Sequence, residues 1–503
     1  MISKPIFKQS VQANWKLWVI ITAVASIILS GFIINYDAAS YAVIAQAAEG
    51  TAFSNILSSM TSLLGSLENF YKLIAVILGI VYVVFTANNL VVNEVDSGSM
   101  AFTLSTPIKR SSVIFTKSLY LILSVTLMYI IISLAGLGAA QLQYNNVTGY
   151  PITDDIKAAS ETLNLDERYL SERLYLIKDD ENTMLEAAIA RNMDTEAYSI
   201  YLDNLISHRS YKKMAEIITD ERWDIYEEDK DMEDDDIEIT TDELTENLEM
   251  IFTSVDALTA GAHIHGMPIN DFREFVTTEI EVLEAEEENL KTAEENQKGI
   301  QGTEETQENS NPPMMITEDN AELLLQIVID SSATALGMDS DQISDSLTLV
   351  KDPTAIALST KTTGLNEEQI ITMANHAMVA SAQSVDEALE FDTEVYLWLS
   401  LGLLLLIIAI SSISFFASTL FNRTGLALAI GGGIPFAFFL ITMIQQLMDS
   451  ADGLEYFTLT SLFDTDAIIA GGEFGWGLVA LGGIAVVLYT ASNLLFTKKD
   501  LPL

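Results

Sequence analysis

The chain reads as an all-α membrane protein: six transmembrane helices, with a large, acidic, mainly helical extracytoplasmic insert between spans three and four. Three observations predict this. Six runs, near 15–36, 71–92, 118–140, 395–417, 425–448 and 475–496, are apolar over about the 20 residues a bilayer crossing takes. Charge is partitioned: residues 141–393 hold 58 of the 71 acidic and 15 of the 25 basic residues, a net of −43 out of −46, and the remainder is nearly neutral. Finally, nine of the ten basic residues outside 141–393 fall on alternate connections, with only Lys72 left for the opposite side. The expected parts are 1–140, with an interfacial helix and spans one to three; 141–393, the acidic domain; and 394–503, with spans four to six.

Residues 2–14 pair Ile2 with Ile6 and Phe7 with Val11, with Lys4 and Lys8 on another side, the pattern of a short amphipathic helix lying in the interface. The first span is too long for a cleaved signal peptide and is flanked by Trp15, Trp18 and Tyr36. Thr22, Ser26 and Ser30 there, like Ser411, Ser414 and Ser418 in the fourth span, form faces that let membrane helices pack closely. No ionisable residue lies in the middle of any span, which speaks against an ion or proton relay.

Between spans two and three, residues 93–117 run from acidic Glu94 and Asp96 through Ser97-Gly98-Ser99 to apolar Met100, Phe102 and Leu104, then Ser105-Thr106-Pro107 and basic Lys109, Arg110 and Lys117. Lys4, Lys8, Lys16, Lys109, Arg110, Lys117, Arg423, Lys498 and Lys499 mark one side of the membrane, whereas 37–70 and 449–474 hold acidic residues and no Lys or Arg. Retained positive charge is cytoplasmic, so both termini are expected inside and 141–393 outside. Apolar residues on the watery side with no bundle to enter call for a partner groove, and Pro107 suits the first turn of the helix that becomes span three.

The insert shows helical periodicity and five joints of one form: Asn164-Leu165-Asp166, Asn192-Met193-Asp194, Gly266-Met267-Pro268, Gly337-Met338-Asp339 and Gly364-Leu365-Asn366. Each offers a left-handed residue, an apolar residue to pack back, and a starter for the next helix. Their spacing points to two helical hairpin pairs flanking a middle region. Near 227–239 and 296–313, self-repelling or polar composition predicts no fixed structure. In the fifth span Gly431-Gly432-Gly433-Ile434-Pro435 marks a bend.

Chemistry is sparse. There is no Cys. His263 and His265 are two apart, and such residues do not face one another on a helix, so no metal site is expected. The acidic runs lack the glycine and closing glutamate of a calcium loop. No phosphate loop or hydrolase signature occurs, the reading is of a non-enzyme without a cofactor of its own, and the negative insert excludes nucleic acid.

On these residues the chain resembles the permease subunits of type 2 ATP-binding-cassette (ABC) exporters, in a bacterial branch common in Gram-positive organisms. The resemblance rests on the start MISKPIFKQSVQANWKLWVI, the stretch from Asp96 to Lys117, the stretches FNRTGLALAIGGGIPF and YFTLTSLFDTDAIIAGG, and the ending KKDLPL. It implies an export pathway formed by two permeases, identical or paralogous, in the bacterial cell membrane. It also implies a separate ATPase subunit that binds the ATP and docks on Gly98, Met100, Phe102, Leu104, Pro107 and Arg110. By the same resemblance Tyr456, Phe457, Phe463 and Asp464 form an external gate element. The insert is far longer than that branch's usual loop, so its role must come from its own chemistry: a cationic peptide or an envelope component suits its charge. The rival reading is a membrane-anchored extracellular sensor or scaffold in which the acidic domain is the working part.

Overall fold

The computed structural model describes residues 2–47, 54–105, 108–228, 238–299, 318–447, 458–472 and 474–499. Among these there is no β-strand. The chain divides into two compact units, 1–151 with 385–503, and 152–384.

Among the described residues six helices are long and apolar enough to cross a membrane, all in the first unit: α1 (Lys4–Ile34), α2 (Leu63–Asp96), α4 (Arg110–Tyr144), α13 (Thr393–Leu420), α14 (Thr424–Leu447) and α16 (Gly475–Lys498). A short α3 (Ser99–Leu104) follows α2, and a short α15 (Thr465–Ile469) precedes α16. One continuous apolar core joins them, with Leu29, Tyr82, Leu121, Ile407 and Phe496 fully buried or nearly so.

Two boundaries differ from the sequence reading. The interfacial helix and the first span are one unbroken helix, because Ile6, Ser10, Asn14, Ile21, Ala25, Leu29 and Ile33 make a single buried stripe through the expected break. Asn14 is fixed there as an acceptor for Asn89 Nδ2 at 2.9 Å. The second span starts at Leu63, eight residues early, so Glu68 and Lys72 lie inside a membrane-length helix. Within it the chain makes a π-helical turn at Phe70–Ala75.

Helix α13 tolerates Ser411, Ser412, Ser414 and Ser418, all buried, since each hydroxyl can return a hydrogen bond to its own helix or cross to a neighbour. Pro435 in α14 has no N–H, which strands the carbonyl four residues earlier, that of Gly431. Ser414 Oγ donates to this oxygen at 2.7 Å. A Cβ on Gly431 would come within 3.0 Å of Ala417 Cβ, so the glycine lets α13 and α14 approach where the proline needs a donor.

In the second unit the helices are α5 (Asp154–Leu163), α6 (Glu181–Ala190), α7 (Thr195–Glu228), α8 (Val255–His265), α9 (Ile269–Gly299), α10 (Glu318–Leu336), α11 (Pro353–Thr363) and α12 (Glu367–Ala388), the last running into the first unit. The five joints form as expected: Asn164, Asn192, Gly266, Gly337 and Gly364 all have positive φ. At four of them the next N–H reaches back five residues, as Leu165→Ser160, Met193→Ala188, Met267→Ala262 and Met338→Ala333. Leu365 and Met193 pack inward, but Leu165 and Met338 stay 38% and 37% exposed.

The joints belong to three copies of one module rather than two pairs around a middle region. Each has a capped short helix (Glu167–Ser171, Thr241–Glu246, Ser340–Ser344), a tight turn, and a second N-cap at Asp180, Ser254 or Asp352. A helix then runs to the left-handed residue Asn192, Gly266 or Gly364. Equivalent side chains fill each core: Leu170, Leu244 and Ile343; Ile177, Ile251 and Val350; Tyr198, Phe272 and Ile370 are all 0% exposed. The 34-residue α7 supplies the last helix of the first copy and the first helix of the second: its residues 197–206 enter one core and 211–218 the next. Of the stretches expected to lack structure, 229–237 and 300–313 lie outside the described residues, while 227–228 and 296–299 finish α7 and α9.

Candidate functional site

At its C-terminal end α2 breaks at Val91 and then continues to Asp96. Gly98 takes φ +73°, the left-handed turn that reverses the chain into α3. Met100 and Leu104 are one helical turn apart and share a face, and Phe102 is about 200° round the helix. The inward face packs: Met100 is fully buried in the bundle core and Leu104 lies against it. Phe102 is 80% exposed. The expectation that all three apolar residues lack a bundle to enter is therefore corrected for Met100, because Gly98 folds α3 back onto the core. Thr106 and Pro107 lie outside the described residues; α4 starts at Arg110 with Lys109 at its N-cap.

The segment is tied to most of the surrounding helices. Lys117 in α4 is 1% exposed and donates to Leu90 O at 2.5 Å, the carbonyl beside the α2 break, while Glu94 Oε2 lies 2.6 Å from the same ammonium. Asp96 Oδ2 accepts from Thr424 N at 3.1 Å, satisfying a free donor at the start of α14. Arg110 Nη1 donates to Lys499 O at 3.2 Å. Lys499 Nζ in turn donates to Thr419 O and Leu420 O at 2.9 and 2.8 Å, the open carbonyls ending α13. Ser3 N and Thr116 Oγ1 connect α1 to α4. On either side of α3, short polar contacts thus join α2 to α4 and α14, and Arg110 and Lys499 connect α4 with α13 and α16.

The other end of α2 is built differently. The Glu68 carboxylate pairs with Lys72 and accepts from Thr465 Oγ1 at 2.8 Å; Lys72 Nζ also lies 2.9 Å from Asp466 Oδ2 on α15. Asp464 caps α15 through Ala467 N at 3.0 Å, and Phe463 is buried against Gly402, where a Cβ would lie 2.5 Å from the ring. Tyr456 and Phe457 lie outside the described residues. Beside this cluster is a cavity of about 380 Å³ whose lining includes Glu68, Lys72, Thr442, Gln446, Thr460 and Asp466. Glu68 was missed from sequence because it precedes the apolar run; its Lys72 partner at i+4 was the available signal.

The His-x-His element splits as helix geometry requires. His263 is exposed, whereas His265 packs against Phe272 and Phe275.

Six membrane-length helices and this arrangement define a multi-pass helical membrane protein. Residues 5–157 match the family model of the ABC-2 family transporter protein, a stretch holding α1 to α4 and the segment built around α3. No curated protein matches the chain. The match supports a transporter permease of the ABC-2 type, a class of membrane component that is generally not itself catalytic.

Proposed function

We propose that the chain is the membrane-spanning subunit of an ABC exporter in a bacterial plasma membrane, that two permeases form the pathway, and that a separate ATPase docks on the segment around α3. The observation that carries this reading is Phe102: a large apolar side chain left 80% exposed at the tip of a turn whose neighbours are locked into the bundle. Gly98, Leu104 and Arg110 shape that turn, and Met100 anchors it from within. Hydrolysis in the partner would move α3 as a rigid piece, because Asp96, Lys117 and Arg110 tie its flanks to other helices.

The basic residues gathered on the 93–117 side favour cytoplasmic termini and an extracytoplasmic 152–384 unit. Its acidic surface would raise the encounter rate with a cationic peptide or envelope partner, and such binding should weaken with salt. Gly431, Gly432 and Pro435 serve as the packing point of α14, whereas Gly433 faces open space, and Phe463 and Asp464 hold the gate-side element α15. Purification of the full chain from its own membrane in mild detergent should recover an ATP-binding subunit and a second permease copy. Recovery of the chain alone would contradict the proposal.

A further inference from the structure

Within the Glu68–Lys72–Asp466 cluster the Lys72–Asp466 pair adds little to holding the bundle together. Lys72 is 20% exposed and its Asp466 partner 78% exposed, so that pair is worth little in stability. Glu68, by contrast, is 6% exposed and lies against the cavity of about 380 Å³, a volume typical of small-ligand sites. The lining carries three carboxylates, Glu68, Asp464 and Asp466, against one ammonium. Asp464 is committed to capping α15. Around them stand neutral acceptors: the Thr442 and Thr460 hydroxyls, 2.6 Å apart, and Gln446, whose Oε1 is buried without a hydrogen-bond partner. The π-helical turn at Phe70–Ala75 carries Lys72 itself, and such turns recur at functional sites.

We propose that this cavity binds a cationic group, an alkylammonium or a guanidinium, which displaces the Lys72 ammonium from Glu68 and Asp466. Lys72 is then a resident stand-in for the ligand. Its departure costs a weak ion pair, and the incoming cation inherits a buried carboxylate with hydroxyl and amide acceptors beside it. Displacement also cuts the Lys72–Asp466 tie between α2 and α15 and leaves the Thr465–Glu68 hydrogen bond in place, so occupancy is linked to loosening, not loss, of the α15–α2 contact. Only that last consequence rests on the permease reading. Binding itself does not, and is measured without an ATPase.

The test is an equilibrium titration of the full chain in nanodiscs with dansylcadaverine, a fluorescent alkylammonium, and its uncharged N-acetyl derivative as control. The acidic 152–384 unit contributes background equally to every variant. Glu68→Gln should weaken the site-specific binding about tenfold and Asp466→Asn by less, while Lys72→Met should tighten it several-fold by removing the competitor. Unchanged or weaker binding in Lys72→Met would overturn the proposal and leave the cluster a structural tie only. Equal binding of the uncharged control would overturn it as well. Should Glu68→Gln fail to fold, Lys72→Met and Asp466→Asn decide the matter.

Discussion

Two lysines, one near each end of α2, face carboxylates in the same chain and do opposite things. Lys117 is 1% exposed, held by Glu94 and by the Leu90 carbonyl at a helix break, and cannot leave without stranding both. Lys72 is 20% exposed, shared between Glu68 and Asp466 beside a cavity. Burial, not the type of partner, separates a staple from an exchangeable contact. Residues 68 and 90, before the Val91 break, are separated by about 33 Å at 1.5 Å per residue, more than the ~30 Å hydrocarbon core. In the proposed function, one end would transmit force and the other yield.

The strongest way to break that comparison is to delete each ammonium. Lys117→Met leaves Glu94 and the Leu90 carbonyl unpaired and should cost about 3–5 kcal/mol. Lys72→Met leaves the Glu68 carboxylate with the Thr465 hydroxyl alone and should cost less, about 1–3 kcal/mol, because Lys72 itself is 20% exposed. Thermal unfolding in nanodiscs checks both, and equal losses would dissolve the distinction. Next in size, Met100→Ala should destabilise by about 2–4 kcal/mol through a core cavity, read as a lower unfolding midpoint. A neutral result there would mean that α3 is not folded onto the core.

A buried titrating group offers a third comparison, in the other unit. Burial against Phe272 and Phe275 pulls the His265 imidazole down to about 4; Asp203 opposes this and Lys178 adds to it. The unfolded chain, with an ordinary value near 6.5, therefore binds more protons than the folded one between those limits. Stability from this group is complete above about pH 6.5 and is lost as pH falls towards 4, by about 1–2 kcal/mol once partial solvent contact is allowed for. Hydrogen exchange of segment 255–276 should accelerate over that range in the full chain, and His265→Gln should flatten the response. The smallest effect belongs to Ser414→Ala, which strands the Gly431 carbonyl and should cost about 1 kcal/mol, seen as faster exchange in α14.

Much of this was legible in the sequence for identifiable reasons. Six apolar runs appear as six membrane-length helices because bilayer thickness sets a length that composition alone reveals. The five left-handed joints were readable because Gly or Asn followed by an apolar residue and a helix starter has few other uses. The threefold module was not readable, since its copies agree in size and burial rather than identity: Tyr198, Phe272 and Ile370 share a place but no side chain. Sharing α7 between two copies hides their boundary as well. Met100 looked like Phe102 because telling an inward from an outward apolar residue requires the direction set by Gly98. Glu68 and the cavity join α2 to α14 and α15, some 390 residues further on, which no local pattern records.

The central claim is that Phe102 is the free contact of a locked turn and meets an ATPase. Phe102→Asp measures it most directly, in a capture of the ATP-binding subunit by the full chain. At least tenfold less ATPase should be recovered, with an unchanged unfolding midpoint, because a side chain 80% exposed holds nothing in its own fold. Undiminished recovery from a folded Phe102→Asp protein would contradict it.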